Sequence, residues 1–147
     1  MSFSEERVAK ICLTHFRDIG SQRLRLLKRV FGSYTKAWSA NRKALLEAGL
    51  SETVVRRFIT WRKTCKPERL IDAIMDEDIR VVSPEDTDFP SLLRTSSDPP
   101  ELLFVRGQIP VAPAVAMVGT RKATNYGEHA VKQLIPTLVR HGLCVVS

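Results

Sequence analysis

The sequence predicts an α + α/β fold, in which a small all-helical domain at residues 1–66 precedes the first part of a parallel α/β domain at residues 67–147. Apolar residues recur at helical spacing through the front part, with capping residues between the runs. After residue 67, short apolar runs alternate with turn residues, as is typical of strands. Residues 1–70 hold 16 Lys and Arg against 6 Asp and Glu, whereas residues 71–147 hold 7 against 10. This change of charge predicts two modules, and for the first either a polyanionic partner or a solvated cationic surface.

The predicted helices of the front domain begin near residue 5, at Ser21, near Tyr34, after Asn41 and after Ser51. Gly32 and Gly49 stand where two of them should end, because glycine adopts the left-handed backbone of a helix C-terminus without steric cost. Trp38 and Trp61 have apolar neighbours at helical spacing, so we expect them in the core rather than stacked on nucleic-acid bases. The front domain is therefore predicted to be purely helical.

The predicted elements after residue 67 are a helix at 68–77, strands at 79–83, 102–105 and 114–118, a helix at 125–141 and a strand at 143–146. The last three form a βαβ unit, whose two strands should be parallel. Pro136 lies inside the long helix and should kink it, because proline removes a backbone hydrogen bond. A parallel sheet needs covered faces and usually several strands, so we expect this chain to be the front part of a longer protein or a remnant of one.

The turn after the strand at 114–118 holds the candidate site, formed by Gly119, Thr120, Arg121, Lys122 and Thr124. In open α/β sheets, ligands collect at the carboxyl ends of strands, beside the N-terminus of the next helix. Unpaired backbone N–H groups and the helix dipole favour an anion there. The guanidinium of Arg121 suits two phosphate oxygens, and Lys122 adds a second positive charge. The turn matches neither G-x-G-x-x-G nor a P-loop, so a solvent-facing turn is the alternative to a phosphate site.

A second candidate contact lies near residues 18–24, where Asp-Ile-Gly-Ser-Gln-Arg-Leu resembles the hairpin of a helix-hairpin-helix. The backbone amides of such hairpins bind phosphate, but this stretch lacks the first glycine of the G-x-G pattern. We therefore expect the hairpin to serve packing, with Arg23 and Arg25 as auxiliary DNA contacts.

Several classes of protein are excluded by composition. The longest apolar stretch is too short to cross a membrane, and the N-terminus has no secretory signal pattern. The three cysteines are far apart, which argues against a disulfide framework and a thiolate metal site: Cys12, Cys65 and Cys144. The histidines are dispersed, and no serine has an evident catalytic partner, so neither a metal, a cofactor nor a nucleophile is predicted. The chain is expected to be cytoplasmic.

Four separated motifs resemble one family. They are DFPSLL at 88–93, DPPELLFVRG at 98–107, MVGTRKATNYG at 117–127 and GLCVVS at 142–147. Their order and spacing are similar to those of the DprA/Smf family, and the middle two are specific when found together. The resemblance is strong over about 79–147, whereas the helical front agrees only in character.

The resemblance implies a DNA-processing protein of bacterial natural transformation. Members have a SAM-like or helix-hairpin-helix-like domain, then an extended Rossmann-like fold, often followed by a winged helix. The Rossmann-like part binds single-stranded DNA, forms homodimers and helps load the RecA recombinase. By position, the family's G-[ST]-R loop corresponds to Gly119, Thr120 and Arg121, within the DNA-binding pocket. The glycine-rich stretch that forms the other side of this pocket in the family would follow Ser147, so we expect the second domain to be incomplete here.

Two other functions stay open at this point. Rossmann-like enzymes of the LOG phosphoribohydrolase type use a similar loop after a strand for nucleotides, although their P-G-G-x-G-T-x-x-E signature is absent from this chain. Alternatively, the helical domain is a protein-interaction module. We favour the recombination mediator, which is not an enzyme, over both.

Overall fold

The computed structural model describes residues 3–147, which form helices and two small sheets. The elements are α1 (Glu5–His15), α2 (Ser21–Phe31), α3 (Tyr34–Ser39), α4 (Arg42–Glu47), α5 (Glu52–Thr64), α6 (Pro67–Asp76), β1 (Ile79–Val82), α7 (Ser91–Arg94), β2 (Leu103–Arg106), β3 (Ala114–Ala116), α8 (Asn125–Arg140) and β4 (Cys144–Val146). The predicted mixture of α and β structure is confirmed. The finer SAM-like and Rossmann-like assignments stay predictions. The chain divides into two compact units, unit 1 at Met1–Gly107 and unit 2 at Gln108–Ser147.

The predicted capping residues set the helix ends of unit 1. The side chain of Asn41 accepts a hydrogen bond from the Ala44 amide at 2.9 Å, and that of Ser51 accepts one from the Val54 amide at 3.5 Å. Each bond satisfies an amide that has no partner inside the helix. Gly32 follows α2 with φ of +76°, the left-handed conformation that glycine adopts readily.

An aromatic cluster forms the centre of the unit 1 core. Phe58 of α5 is fully buried, and its ring centroid lies 5.4 Å from that of Phe16. Trp38 packs edge-on against both Phe58 and Trp61, with ring centroids 5.8 Å apart in each pair. The prediction that both tryptophans belong to the core is confirmed, because they pack against its buried residues. Offset and edge-to-face pairs of this kind add stability beyond the area that they bury.

A second apolar cluster joins the helices to two predicted strands whose pairing the sequence does not indicate. β1 and β2 pair antiparallel, with Val81 opposite Phe104. Val81 then packs with Ile11 of α1 and Ile74 of α6. For this reason the compact unit extends to Gly107, and the predicted boundary between residues 66 and 67 lies inside it. That boundary stays a prediction about domain organisation.

Unit 2 contains the βαβ order that the sequence predicts. β3 and β4 are parallel, with Val115 opposite Val145, and α8 connects them. α8 is continuous through Pro136, and none of its residues is buried. Within residues 3–147, no helix is both long and apolar enough to cross a bilayer.

Candidate nucleic-acid interface

The five predicted site residues lie in the loop between β3 and α8. The strand ends at Ala116, although the Met117 amide still donates to the Val146 carbonyl at 2.8 Å. The helix begins at Asn125, so residues 118–124 cross from the carboxyl end of a strand to the N-terminus of a helix. This is the position that the sequence predicts for a ligand in an α/β sheet.

Thr124 caps the N-terminus of α8. Its hydroxyl oxygen accepts from the Gly127 amide at 3.2 Å, and its carbonyl accepts from the Glu128 amide at 3.0 Å. Within the described part of the chain, the amides of Asn125 and Tyr126 have no acceptor. Two N–H groups at the positive end of the helix dipole therefore stay available to an anion.

Thr120 and Gly119 shape the first half of the loop. The Thr120 hydroxyl oxygen accepts from the Lys122 amide at 3.2 Å, which closes a local turn. A Cβ added at Gly119 would meet no protein atom within 4 Å. Open space therefore lies over the backbone at this position, and packing within the chain does not require glycine there.

Arg121 and Lys122 are exposed, and neither side chain has a hydrogen-bond or ion-pair partner among residues 3–147. An unpartnered guanidinium keeps all five donors available in the planar arrangement that matches phosphate oxygens. The loop therefore combines two unpaired cations with free helix amides, and this combination can bind an anion.

The two auxiliary candidates on α2 are occupied by their own chain. Arg23 donates to the carbonyl of Asp18. Arg25 forms an ion pair with Asp98 and donates to the Pro99 carbonyl at 2.8 Å. The bond to Asp98 raises the pKa of Arg25 above its ordinary value. DNA would have to compete with these internal partners, and the auxiliary role of Arg23 and Arg25 stays a prediction.

A charged cluster between α1, α3 and the segment around residue 101 was not indicated by the sequence. The Lys10 ammonium lies 3.3 Å from a carboxylate oxygen of Glu101, and these side chains are only 6% and 11% exposed. The Tyr34 hydroxyl donates to the same Glu101 oxygen at 3.0 Å. A cavity of about 530 Å³ lies over these groups. No local pattern signals such pairs, because their members are 67 to 91 residues apart in the sequence.

Two further carboxylates of unit 1, those of Glu6 and Asp86, are held as anions by neighbouring donors. Burial raises the pKa of Glu6, but bonds from Lys28 and from the Tyr34 and Thr35 amides outweigh it and hold the pKa at about 2. The Arg7 guanidinium holds the pKa of Asp86 well below its usual range. Because each carboxylate is already bonded to donors, the cluster fastens α1 to later segments and has no free acid or base.

Two further observations concern the Cys12 thiol and the residue types that bind metals. Burial raises the pKa of the Cys12 thiol to about 12, so it stays protonated and is a poor nucleophile. Among residues 3–147, no three His, Cys, Asp or Glu side chains are grouped so that they could hold a metal ion.

Part of the chain is similar to a known protein family and to two known proteins. Residues 80–147 match the family described as DNA recombination-mediator protein A. Protein Smf of Synechocystis is 25% identical over 151 residues, covering 98% of this chain and 38% of that protein. The DNA processing protein DprA of Bacillus subtilis is 29% identical over 85 residues, covering 56% of this chain and 29% of that protein. The chain thus spans less than two fifths of the length of either relative, and the matched family region contains the whole candidate loop.

Proposed function

We propose that the chain is part of a DNA recombination mediator that binds single-stranded DNA during natural transformation, because residues 80–147 match that family and both relatives are similar to this chain. The observation that carries this proposal is the loop at residues 118–124. The two unpartnered cations of this loop and the free amides of Asn125 and Tyr126 lie at the N-terminal end of α8, inside the region that matches the family. The name of the Bacillus subtilis relative, DNA processing protein DprA, supports DNA processing as the biological setting.

The proposed mechanism is capture of backbone phosphates. Arg121 binds two oxygens of one phosphate, Lys122 contributes a point charge, and the amides of Asn125 and Tyr126 add directed donors. These groups contact the backbone and read no base, so binding is independent of sequence. The net positive charge of residues 1–70 attracts the strand over a longer range.

The protein acts by binding and not by catalysis. The family description as a recombination mediator supports this view. Glu6 and Asp86, whose pKa values are lowered by bonded donors, are weak candidates for a general base. The partners proposed for the whole protein are the RecA recombinase and a second copy of the chain, and its proposed location is the cytoplasm.

The test is replacement of Arg121 by alanine. We expect Arg121→Ala to weaken binding of the 147-residue chain to oligothymidylate and to other single strands equally. The slope of log affinity against log salt should fall by roughly 0.7, the value for one phosphate contact on a single strand. Arg121→Lys should restore only part of the affinity, because a point charge does not reproduce the planar guanidinium.

The matched control is Arg140→Ala, which removes the same charge from the opposite end of α8. Its side chain is exposed and donates only to Thr137 among residues 3–147. If Arg121→Ala and Arg140→Ala change the salt slope equally, or neither changes it, the loop is not the phosphate site.

A further inference from the structure

We infer that the exposed face of α5 is a second contact for the phosphate backbone of single-stranded DNA, formed by Arg56, Lys63 and Lys66. This inference rests on the proposed function and adds a surface to it. These three residues, called here the α5 basic ridge, are exposed and have no ion-pair partner in the described residues. The ridge lies in unit 1, whereas the loop of residues 118–124 lies in unit 2.

Helical geometry places the two ridge cations of α5 in one row. Arg56 and Lys63 are seven residues apart, which is two turns and about 10 Å along the axis. Thr60 stands between them on the same face, and its hydroxyl donates to the Arg56 carbonyl at 3.0 Å. Lys66 follows the end of α5 by two residues and is the N-cap residue of α6. A row of this length suits successive phosphates of one strand better than a single small anion.

No free acidic group on α5 opposes the ridge. The helix has one acidic residue, Glu52 in its first turn, and Arg42 of α4 binds its carboxylate at 2.5 Å. Arg57, next to the ridge, is bound by Asp18 at 2.9 Å. The nearest acid after Lys66 is Glu68, in the first turn of α6. The ridge therefore presents positive charge to solvent that the neighbouring carboxylates of α5 do not neutralise.

Several other arginines of unit 1 are bonded within the fold. Arg7 is bound by Asp86, Arg25 by Asp98, and Arg62 donates to the Ala40 carbonyl at 2.9 Å. These side chains fasten the fold together and are unavailable to a ligand without loss of those bonds. Arg17, Arg29 and Arg69 are exposed and unpaired among residues 3–147, but they lie on three separate segments of the chain. The ridge cations hold nothing together, so their charge is free to meet a polyanion.

The chemistry of the face favours nucleic acid over a membrane. All the exposed positions of α5 carry polar or charged side chains: Glu52, Thr53, Arg56, Arg57, Thr60, Lys63 and Thr64. A helix that binds a bilayer surface also inserts apolar side chains between the lipids. The apolar side chains Val54, Val55 and Phe58 are buried in the core instead.

The experiment compares two double variants of the 147-residue chain. Arg56→Ala/Lys63→Ala removes two ridge cations. Lys36→Ala/Lys43→Ala removes two exposed lysines from α3 and α4 in the same unit and serves as the control. Circular dichroism and thermal melting check that each variant keeps the fold. Affinity for oligothymidylate is measured at several salt concentrations, together with binding to vesicles of anionic lipid.

We expect the ridge variant to lower the salt slope by about 1.4, twice the single-strand value for one contact, and the control to lower it by much less. Equal slopes for the two variants would overturn the ridge and leave the proposed function intact. Failure of the unaltered chain to bind oligothymidylate at any salt concentration would overturn both. Ridge-dependent binding to vesicles without binding to the oligonucleotide would replace the strand with a lipid surface.

Discussion

Units 1 and 2 differ in how many of their side chains are buried or paired with other residues of the same unit. Unit 1 has an aromatic core around Phe58, a second apolar cluster around Ile11, and ion pairs between residues far apart in the sequence. Unit 2 has two three-residue strands and one helix without a buried residue, and Leu134 and Val139 of that helix are 54% and 56% exposed. Unit 1 therefore holds most of the buried contacts that stabilise the fold, whereas unit 2 holds the candidate loop.

The same difference applies to charged side chains. In unit 1 most arginines near the charged cluster bind carboxylates or carbonyls, whereas Arg121 and Lys122 of unit 2 have no partner within residues 3–147. A cation that is already paired in the fold loses that pair when it binds phosphate, but an unpaired one does not. We therefore assign DNA contact to two groups of unpaired cations, Arg121 and Lys122 beside the free amides of α8 and the α5 basic ridge with its row along one helix face.

The largest expected effect comes from the core of unit 1. Phe58→Ala should lower the free energy of unfolding by about 3–5 kcal/mol, because it leaves a cavity beneath both tryptophans. Leu134→Ala in unit 2 should lower it by less than about 1 kcal/mol, since its side chain is already half exposed. Urea denaturation followed by far-ultraviolet circular dichroism measures both. Equal losses for the two variants would contradict the contrast between the units.

A smaller effect should appear in acid. Because the pKa of Glu6 is about 2 in the folded chain against an ordinary 4.5, its ionised form stabilises unit 1 above pH 4.5. That contribution is lost as the pH falls from 4.5 towards 2. The Glu6 side chain is 38% exposed, so solvent screening reduces the contribution to about 1 kcal/mol.

Glu6→Gln isolates the contribution of the ionised carboxylate to stability, because the amide keeps the shape of the side chain but cannot ionise. The variant should be less stable than the unaltered chain at pH 7, and the gap should close by pH 2. Melting temperature measured at intervals between these values gives the gap directly. A gap that stays constant over the whole range would mean that Glu6 acts through shape and not through charge.

The sequence predicted those parts of the fold that depend on neighbours in the chain. Asn41 and Ser51 cap helices as expected, and the βαβ order around the candidate loop is confirmed. The pairing of β1 with β2 was not predicted, because Val81 and Phe104 show no local sign of facing each other. For the same reason the burial of Lys10, whose partner Glu101 lies 91 residues later, was not foreseen.

The sequence predicts where the candidate loop lies, but it does not predict which cations of the chain are bonded to other residues. Local sequence indicated Arg121 and Lys122 as cations after a strand, and the structure places them there without partners in residues 3–147. It also indicated Arg23 and Arg25 as DNA contacts, yet both are bonded to the protein. Whether a cation is free depends on what packs beside it, which a single sequence does not show.

The most direct test of the account is a residue-by-residue titration of the ¹⁵N-labelled 147-residue chain with oligothymidylate, followed by amide chemical shifts. We predict the largest shifts in two places, at residues 119–127 and along the α5 basic ridge, with smaller ones around Arg25, where DNA has to compete with Asp98. Arg121→Ala should remove the shifts at 119–127 and leave those of the ridge. Shifts centred on Arg25, with none at 119–127, would contradict the claim that unpaired cations carry the contact with DNA.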